Sequence, residues 1–296
     1  MNDLLQFQVG FTLWLQSINP ALDSVFKAIN FLQTEEFLLI VLPIVWWCVD
    51  KRIGASLIIL FSSCEFFSRF LKSTTGETRP YDLDRHVRNL DPQPDSSFPS
   101  AGEMDTMILW GYMALSFRRR ALWVWAVAAI VLVGFARIYL GAHYLTDVLA
   151  SILISALILA LVIRSKLADR IIASPRAVQW IMAVGWPILL ALLKLNPETA
   201  VSLGAMLGFN IGLLLERQTV RFNPRGELWK QVVKLIAGLA VVIGLRFAIK
   251  PLLPPGDVFT LIRYAIMGLW IGAGAPWVFV LARLARREEQ EMKMSF

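Results

Sequence analysis

Residues 121–163 read ALWVWAVAAIVLVGFARIYLGAHYLTDVLASILISALILALVI. Two apolar runs, 121–142 and 144–163, stand on either side of a short turn, and each is near the roughly 20 residues that an α-helix needs to cross a hydrocarbon layer. Arg137, His143 and Asp147 gather at that turn. Ionisable side chains inside or at the edge of spanning segments are rare and costly, and by default they mark function. The stretch therefore reads as a hydrophobic helical hairpin with chemistry at its bend.

The rest of the chain agrees with a membrane setting. Of its 296 residues, 57% are hydrophobic and only 17% are charged, against about 25% charged in an ordinary soluble domain. Mean hydropathy is +0.60. This excludes a disordered, collagen-like or disulfide-stapled chain and most soluble enzymes. The formal net charge of +7 does not point to nucleic acid: such a binder would gather its basic residues on one soluble face, whereas here they alternate with apolar spans. Cys48 and Cys64 both lie in apolar runs without a CxxC pattern, so a zinc site is not expected. No basic n-region precedes an apolar core at the N-terminus, so no cleavable signal peptide is expected.

Candidate spans are 37–50, 53–71, 101–117, 121–142, 144–163, 178–194, 199–215, 231–249 and 259–282. Residues 3–33 mix apolar and polar side chains and break at Pro20, which predicts one or two short or interfacial helices with Trp14 near the headgroups. Lys51 and Arg52, Arg118 to Arg120, Arg164 to Arg176, Arg217 to Lys230, and Arg283 to Arg287 fall at alternate boundaries. The excess of Lys and Arg in cytoplasmic loops puts those ends inside. The polar stretch 72–98 then faces outside, yet it carries Lys72, Arg79, Arg85 and Arg88 against the trend. Glu65, Arg69 and Lys72 share one face of the second span. Glu65 there either orients a cation or simply neutralises Arg69.

Three stretches share the outer face: Lys72 to Pro80, Phe98 to Glu103, and Ala136 to Asp147. Arg offers a bidentate fork to phosphate oxygens and Lys a point charge. Ser100, Ala101 and Gly102 open a span, where unpaired backbone N–H groups and the helix dipole favour an anion. His143 and Asp147 are four apart, on one face if the helix begins there, so the carboxylate can orient the imidazole. Together these residues describe a site for phosphoryl chemistry. His86 reads as a solvated loop residue, and Trp46, Trp47, Trp123, Trp125 and Trp180 as interfacial or packing aromatics.

The order Lys72-x6-Arg79-Pro80, Phe98-Pro99-Ser100, Arg137-x5-His143-x3-Asp147 resembles the type 2 phosphatidic acid phosphatase (PAP2) superfamily over residues 35–165. The apolar runs predict an all-α, polytopic bundle of about nine membrane helices, and the resemblance implies a helical membrane fold that hydrolyses or transfers lipid phosphate through a phosphohistidine, without metal or cofactor. It implies that Lys72, Arg79, Arg137 and Ser100, with the backbone at Ala101 and Gly102, hold the phosphate. His143 would attack phosphorus, supported by Asp147. Two positions depart from the family, whose third motif begins with Ser where this chain has Ala136, the smaller loss. The family's second motif, Pro-Ser-Gly-His, supplies a general acid, and this chain has Gly102 in that place. General acid catalysis is worth about 10²–10⁴-fold, so three readings stay open. Another acid substitutes (Glu103, Asp105 or His86); or the substrate carries a good leaving group, such as a polyprenyl diphosphate, or passes its headgroup to another lipid; or the site binds or transports a phosphorylated lipid without turnover. Glu103 in the first helical turn is as readily a helix-start preference as a catalytic carboxyl.

The expected organisation is short helices over 1–34, a PAP2-like core over 35–165, and a helical membrane extension over 178–285 that packs or oligomerises. The expected location is the plasma (inner) membrane, with the site facing outside or the periplasm.

Overall fold

The computed structural model describes residues 3–288. Each apolar stretch named above is helical, and among the described residues β structure is limited to one bridge, Phe222 with Arg287. Seven helices are long and apolar enough to cross a membrane, or eight if the bent pair Leu22–Gln33 and Glu35–Val49 forms one span. The protein is thus a polytopic helical membrane protein. Ala101–Thr106, Met107–Gly111 and Tyr112–Phe117 run on as one helix with a π turn in its middle. This helix is not among the seven: it is short, and its first turns carry Glu103, Asp105 and Thr106.

The chain divides into two compact units. One holds the described residues up to Leu38 together with Phe67–Ser165. The other holds Leu39–Phe66 and the described residues from Lys166 on.

In the second unit, Trp46 and Trp47 are fully buried, and both indole N–H groups donate to the Ile271 carbonyl, at 3.1 and 3.0 Å. They are packing aromatics. Edge contacts to Phe209, Phe222 and Phe279 complete the cluster, with centroids about 5.5 Å apart. Helices Pro197–Leu215 and Asp257–Leu269 meet along glycines: a Cβ on Gly208 would lie 1.8 Å from the Ala265 carbonyl oxygen, and one on Gly204 2.3 Å from that of Leu261. Small residues spaced four apart let the two backbones touch, the usual device where lipid removes the hydrophobic drive for helix association. Lys234 is buried and donates to the Trp47 and Pro224 carbonyls, both at 2.9 Å.

In the first unit, the N-terminal helices Asp3–Ser17 and Leu22–Asn30 brace polar loops. Gln16 donates to the Arg88 and Tyr139 carbonyls (3.0 and 2.8 Å) and accepts from the Arg88 N–H (2.9 Å). Gln8 Oε1 accepts from the Thr146 N–H and hydroxyl. Arg88 pairs with Asp23, and Tyr139 donates its hydroxyl proton to the same carboxylate. These contacts fix the loops 84–98 and 140–146, which carry the cluster described next.

Candidate active site

The turn that delivers His143 follows from one glycine. Helix Arg120–Tyr139 ends in a Schellman motif: Gly141 N–H bonds the Ile138 carbonyl (3.0 Å) and Ala142 N–H bonds that of Arg137 (3.1 Å). Gly141 sits at φ +76°, and a Cβ there would meet the Arg88 carbonyl oxygen at 2.7 Å. Only glycine suits both conditions. The chain doubles back, and His143 lands beside the Arg137 side chain.

Arg137 Nη2 lies 2.9 Å from His143 Nε2. A guanidinium can only donate, so Nε2 is the accepting nitrogen and the imidazole proton sits on Nδ1. Nδ1 faces Asp147 Oδ2 at 3.5 Å. The pair would share a helix face only if the helix began at His143; it starts at Leu145, so His143 precedes it and the approach comes through the turn. Asp147 Oδ2 is held mainly by the Ser97 hydroxyl (2.5 Å) and the Tyr144 N–H (3.0 Å). Burial, followed by the nearby Arg137, Lys72 and Arg79 charges, holds the His143 pKa well below its usual 6.5. The imidazole is neutral, with its lone pair directed at a cation.

Lys72, Arg79 and Arg137 converge on this turn, each at most 3% exposed. Arg79 precedes Pro80, which holds its backbone extended. Its guanidinium donates to the carbonyls of Asp95 (2.8 Å), Ser96 (3.1 Å) and Ala142 (2.7 Å), and to the Asp95 carboxylate. Lys72 donates to the Ser96 carbonyl (2.6 Å) and lies 3.4 Å from Asp95 Oδ2. Arg137 Nη1 bonds Asp91 Oδ2 (2.5 Å) and Asn30 Oδ1 (3.0 Å). Isolated buried cations cost several kcal/mol each, and two loop aspartates provide the counter-charge. Burial opposes the Asp95 carboxylate, but Lys72 and Arg79 outweigh it and hold its pKa below the usual carboxylate range. Asp91 and Asp95 oxygens thus lie on all three cations.

Ser100 precedes helix Ala101–Thr106 and is buried. Its N–H already donates to Ser151 Oγ at 2.9 Å, so one of the backbone groups expected to face an anion is taken. Its hydroxyl is buried without a hydrogen-bond partner among the described residues, and so are both oxygens of Glu103. Glu103 is fully buried, with Oε2 packed toward Gly134 one turn before Arg137. Gly102 faces the Gln33 side chain. The structure does not draw in every polar residue named from sequence: His86 is exposed and pairs with Asp84, and Arg69 reaches Glu35 at 3.7 Å. Asn30, Gln33, Asp91, Asp95, Ser97 and Ser151 were not singled out from sequence. For the two aspartates the available signal was the charge balance of 72–98, where cations destined for burial need partners.

Comparison with known proteins returns the same family along most of the chain. Residues 53–170 match the PAP2 superfamily, and residues 200–287 match the transmembrane extension of PAP2 superfamily phosphatases. The lipid phosphate phosphatase delta of Arabidopsis thaliana is 23% identical over 58% of this chain and 46% of its own length. The undecaprenyl-diphosphatase of Sulfolobus acidocaldarius is 27% identical over 36% of this chain and 52% of its own. The chain thus spans about half the length of these two relatives. The crystal structure of a transmembrane PAP2-type phosphatidylglycerolphosphate phosphatase from Bacillus subtilis aligns at TM-score 0.48 and 22% identity, covering 56% of this chain and 87% of that one. With the PAP2 segment and the transmembrane extension both matched, the chain belongs to the PAP2 superfamily.

Proposed function

We propose that the protein is a lipid phosphatase or phosphotransferase that removes or transfers a phosphoryl group through His143, acting on a lipid phosphate or diphosphate at the outer face of the plasma membrane. The observation that carries this reading is the neutral, buried His143 whose Nε2 meets Arg137 at 2.9 Å among three cations. Phosphoryl transfer depends on positioning and on electrostatic stabilisation of equatorial oxygens, and the cluster offers both. Lys72, Arg79, Arg137, Ser100 and the backbone at Ala101 and Gly102 receive those oxygens. His143 Nε2 attacks phosphorus, while Asp147 holds the turn and supports Nδ1. Glu103, buried without a partner among the described residues, is assigned the proton that hydrolysis must move. The named activities of the relatives, on lipid phosphate and undecaprenyl diphosphate, fall in the same class.

Binding without turnover is the second reading, favoured by one observation, the absence of a side chain at Gly102. A panel of lipid monophosphates, lipid diphosphates and headgroup acceptors separates the two, scored on purified protein for phosphate and transferred headgroup. Turnover of at least one substrate is expected. Its pH profile carries a further expectation. A nucleophile with a lowered pKa stays unprotonated as pH falls through 6.5, so the His143 limb of kcat/KM lies well below that value. Binding of every lipid with turnover of none would leave the second reading standing.

The outer-face assignment rests on helix direction. Helix Arg120–Tyr139 starts beside the basic run Arg118 to Arg120 and ends at the site, and Leu145–Ser165 returns toward Lys166. In a protein with Cys48 and Cys64 replaced by serine, Asn89→Cys should react with a membrane-impermeant thiol reagent added to intact cells. Labelling only after permeabilisation would reverse the orientation.

A further inference from the structure

The space beside Gly102 is filled from another part of the chain. A Cβ on Gly102 would lie 1.8 Å from Gln33 Oε1 and 2.4 Å from Gln33 Cδ. The Gln33 carboxamide therefore stands where a side chain at 102 would begin. It belongs to the short turn Phe31–Gln33, which follows helix Leu22–Asn30. It is also wired to the reactive histidine. Gln33 Nε2 donates to Asn30 Oδ1 at 3.1 Å, the same oxygen accepts from Arg137 Nη1 at 3.0 Å, and Arg137 Nη2 meets His143 Nε2 at 2.9 Å. One guanidinium thus stands between the nucleophile and a pair of side-chain amides. Arg137, Asn30 and Gln33 thus form one connected polar chain leading away from His143.

We propose that Gln33 is a specificity-determining residue whose carboxamide contacts the leaving group and restricts the site to lipid diphosphates. The proposal rests on the His143 reading above and names its substrate class. A carboxamide donates and accepts hydrogen bonds but has no proton to release at ordinary pH. In the first step His143 Nε2 bonds the terminal phosphorus as the bond from phosphorus to the bridging oxygen breaks. The electron pair passes to that oxygen, which leaves as a terminal oxygen of the lipid monophosphate and needs no proton. The Gln33 N–H₂ can donate to this oxygen as its charge grows. An ester would leave as an alkoxide and would need an acid that this position does not hold. In the second step water attacks phosphorus, the nitrogen–phosphorus bond breaks, its pair returns to His143, and the phosphate leaves as dihydrogen phosphate carrying both water protons.

The test compares kcat/KM for a prenyl diphosphate and a prenyl monophosphate of the same chain length in wild type, Gln33→Glu and Gln33→Ala. The ratio of the two values does not depend on how much of each variant folds. Wild type should favour the diphosphate. Gln33→Glu keeps the shape but adds an acid and a charge, so diphosphate turnover should fall and monophosphate turnover rise. The ratio should shift by about 10²-fold, within the range of general acid catalysis, and the monophosphate profile should gain a limb on which activity falls as the new carboxyl loses its proton. Gln33→Ala should lower diphosphate turnover and shift the ratio without adding that limb. A ratio unchanged in both variants, or a wild type that prefers the monophosphate, overturns the role of Gln33 and leaves the phosphatase reading intact. A wild type that turns over neither prenyl lipid overturns the diphosphate proposal, and failure across the whole lipid panel overturns the phosphatase reading as well.

Discussion

His143→Ala should lower turnover by about 10⁴-fold or more, because it removes the imidazole on which the covalent intermediate forms. The size of the effect follows from the geometry. The imidazole is neutral, its proton is on Nδ1, and Nε2 presents a lone pair among three cations. Alanine removes the attacking atom and leaves Lys72, Arg79 and their loop contacts in place, so lipid phosphate should still bind. That combination, binding kept and turnover lost, separates a covalent mechanism from one in which the site activates water directly. The check is initial rate on the best substrate of the panel, with the melting temperature in detergent confirming the fold. Residual turnover within about tenfold of wild type would remove His143 from the chemistry.

Arg137→Lys should cost about 10²–10³-fold in kcat/KM although it preserves the charge, the magnitude seen when one oxyanion donor is lost. Arg137 uses its fork in two directions, Nη1 to Asn30 and Asp91 and Nη2 to His143. A lysine is a single point donor and cannot hold both. Asp91 would lose its short contact, the Asn30–Gln33 pair its anchor, and His143 the donor that fixes its tautomer. The loss should fall on kcat more than on binding, since Lys72 and Arg79 still attract the anion. Steady-state kinetics on one lipid reads the split. A variant within threefold of wild type in kcat would make Arg137 a structural cation only.

Much of this site could be read before folding, and the part that could not has one physical cause. The spans were legible because apolar runs such as 144–163 have no stable alternative to a helix in lipid. The turn was legible as a break between the runs 121–142 and 144–163, while its left-handed Gly141 emerges only from the fold. The counter-charges were not. Asp91 and Asp95 lie in a Pro-, Asp- and Ser-rich loop that looks solvated, and only the fold shows them on buried cations. Asn30 is 107 residues from Arg137 along the chain, and no local pattern announces that contact. Gly102 was recognised as a departure, but its occupant, Gln33, comes from a turn that sequence periodicity describes only as short helix. The glycines at 204, 208 and 212 carry a legible four-residue spacing, the pattern of closely packed membrane helices.

The phosphohistidine is tested most directly by the stereochemistry at phosphorus. With a lipid substrate whose transferred phosphoryl group is made chiral by oxygen isotopes or sulfur, two successive in-line displacements return the original configuration. Attack by His143 followed by attack of water or an acceptor lipid therefore predicts net retention. Net inversion would mean a single displacement with no covalent intermediate, and would contradict the account.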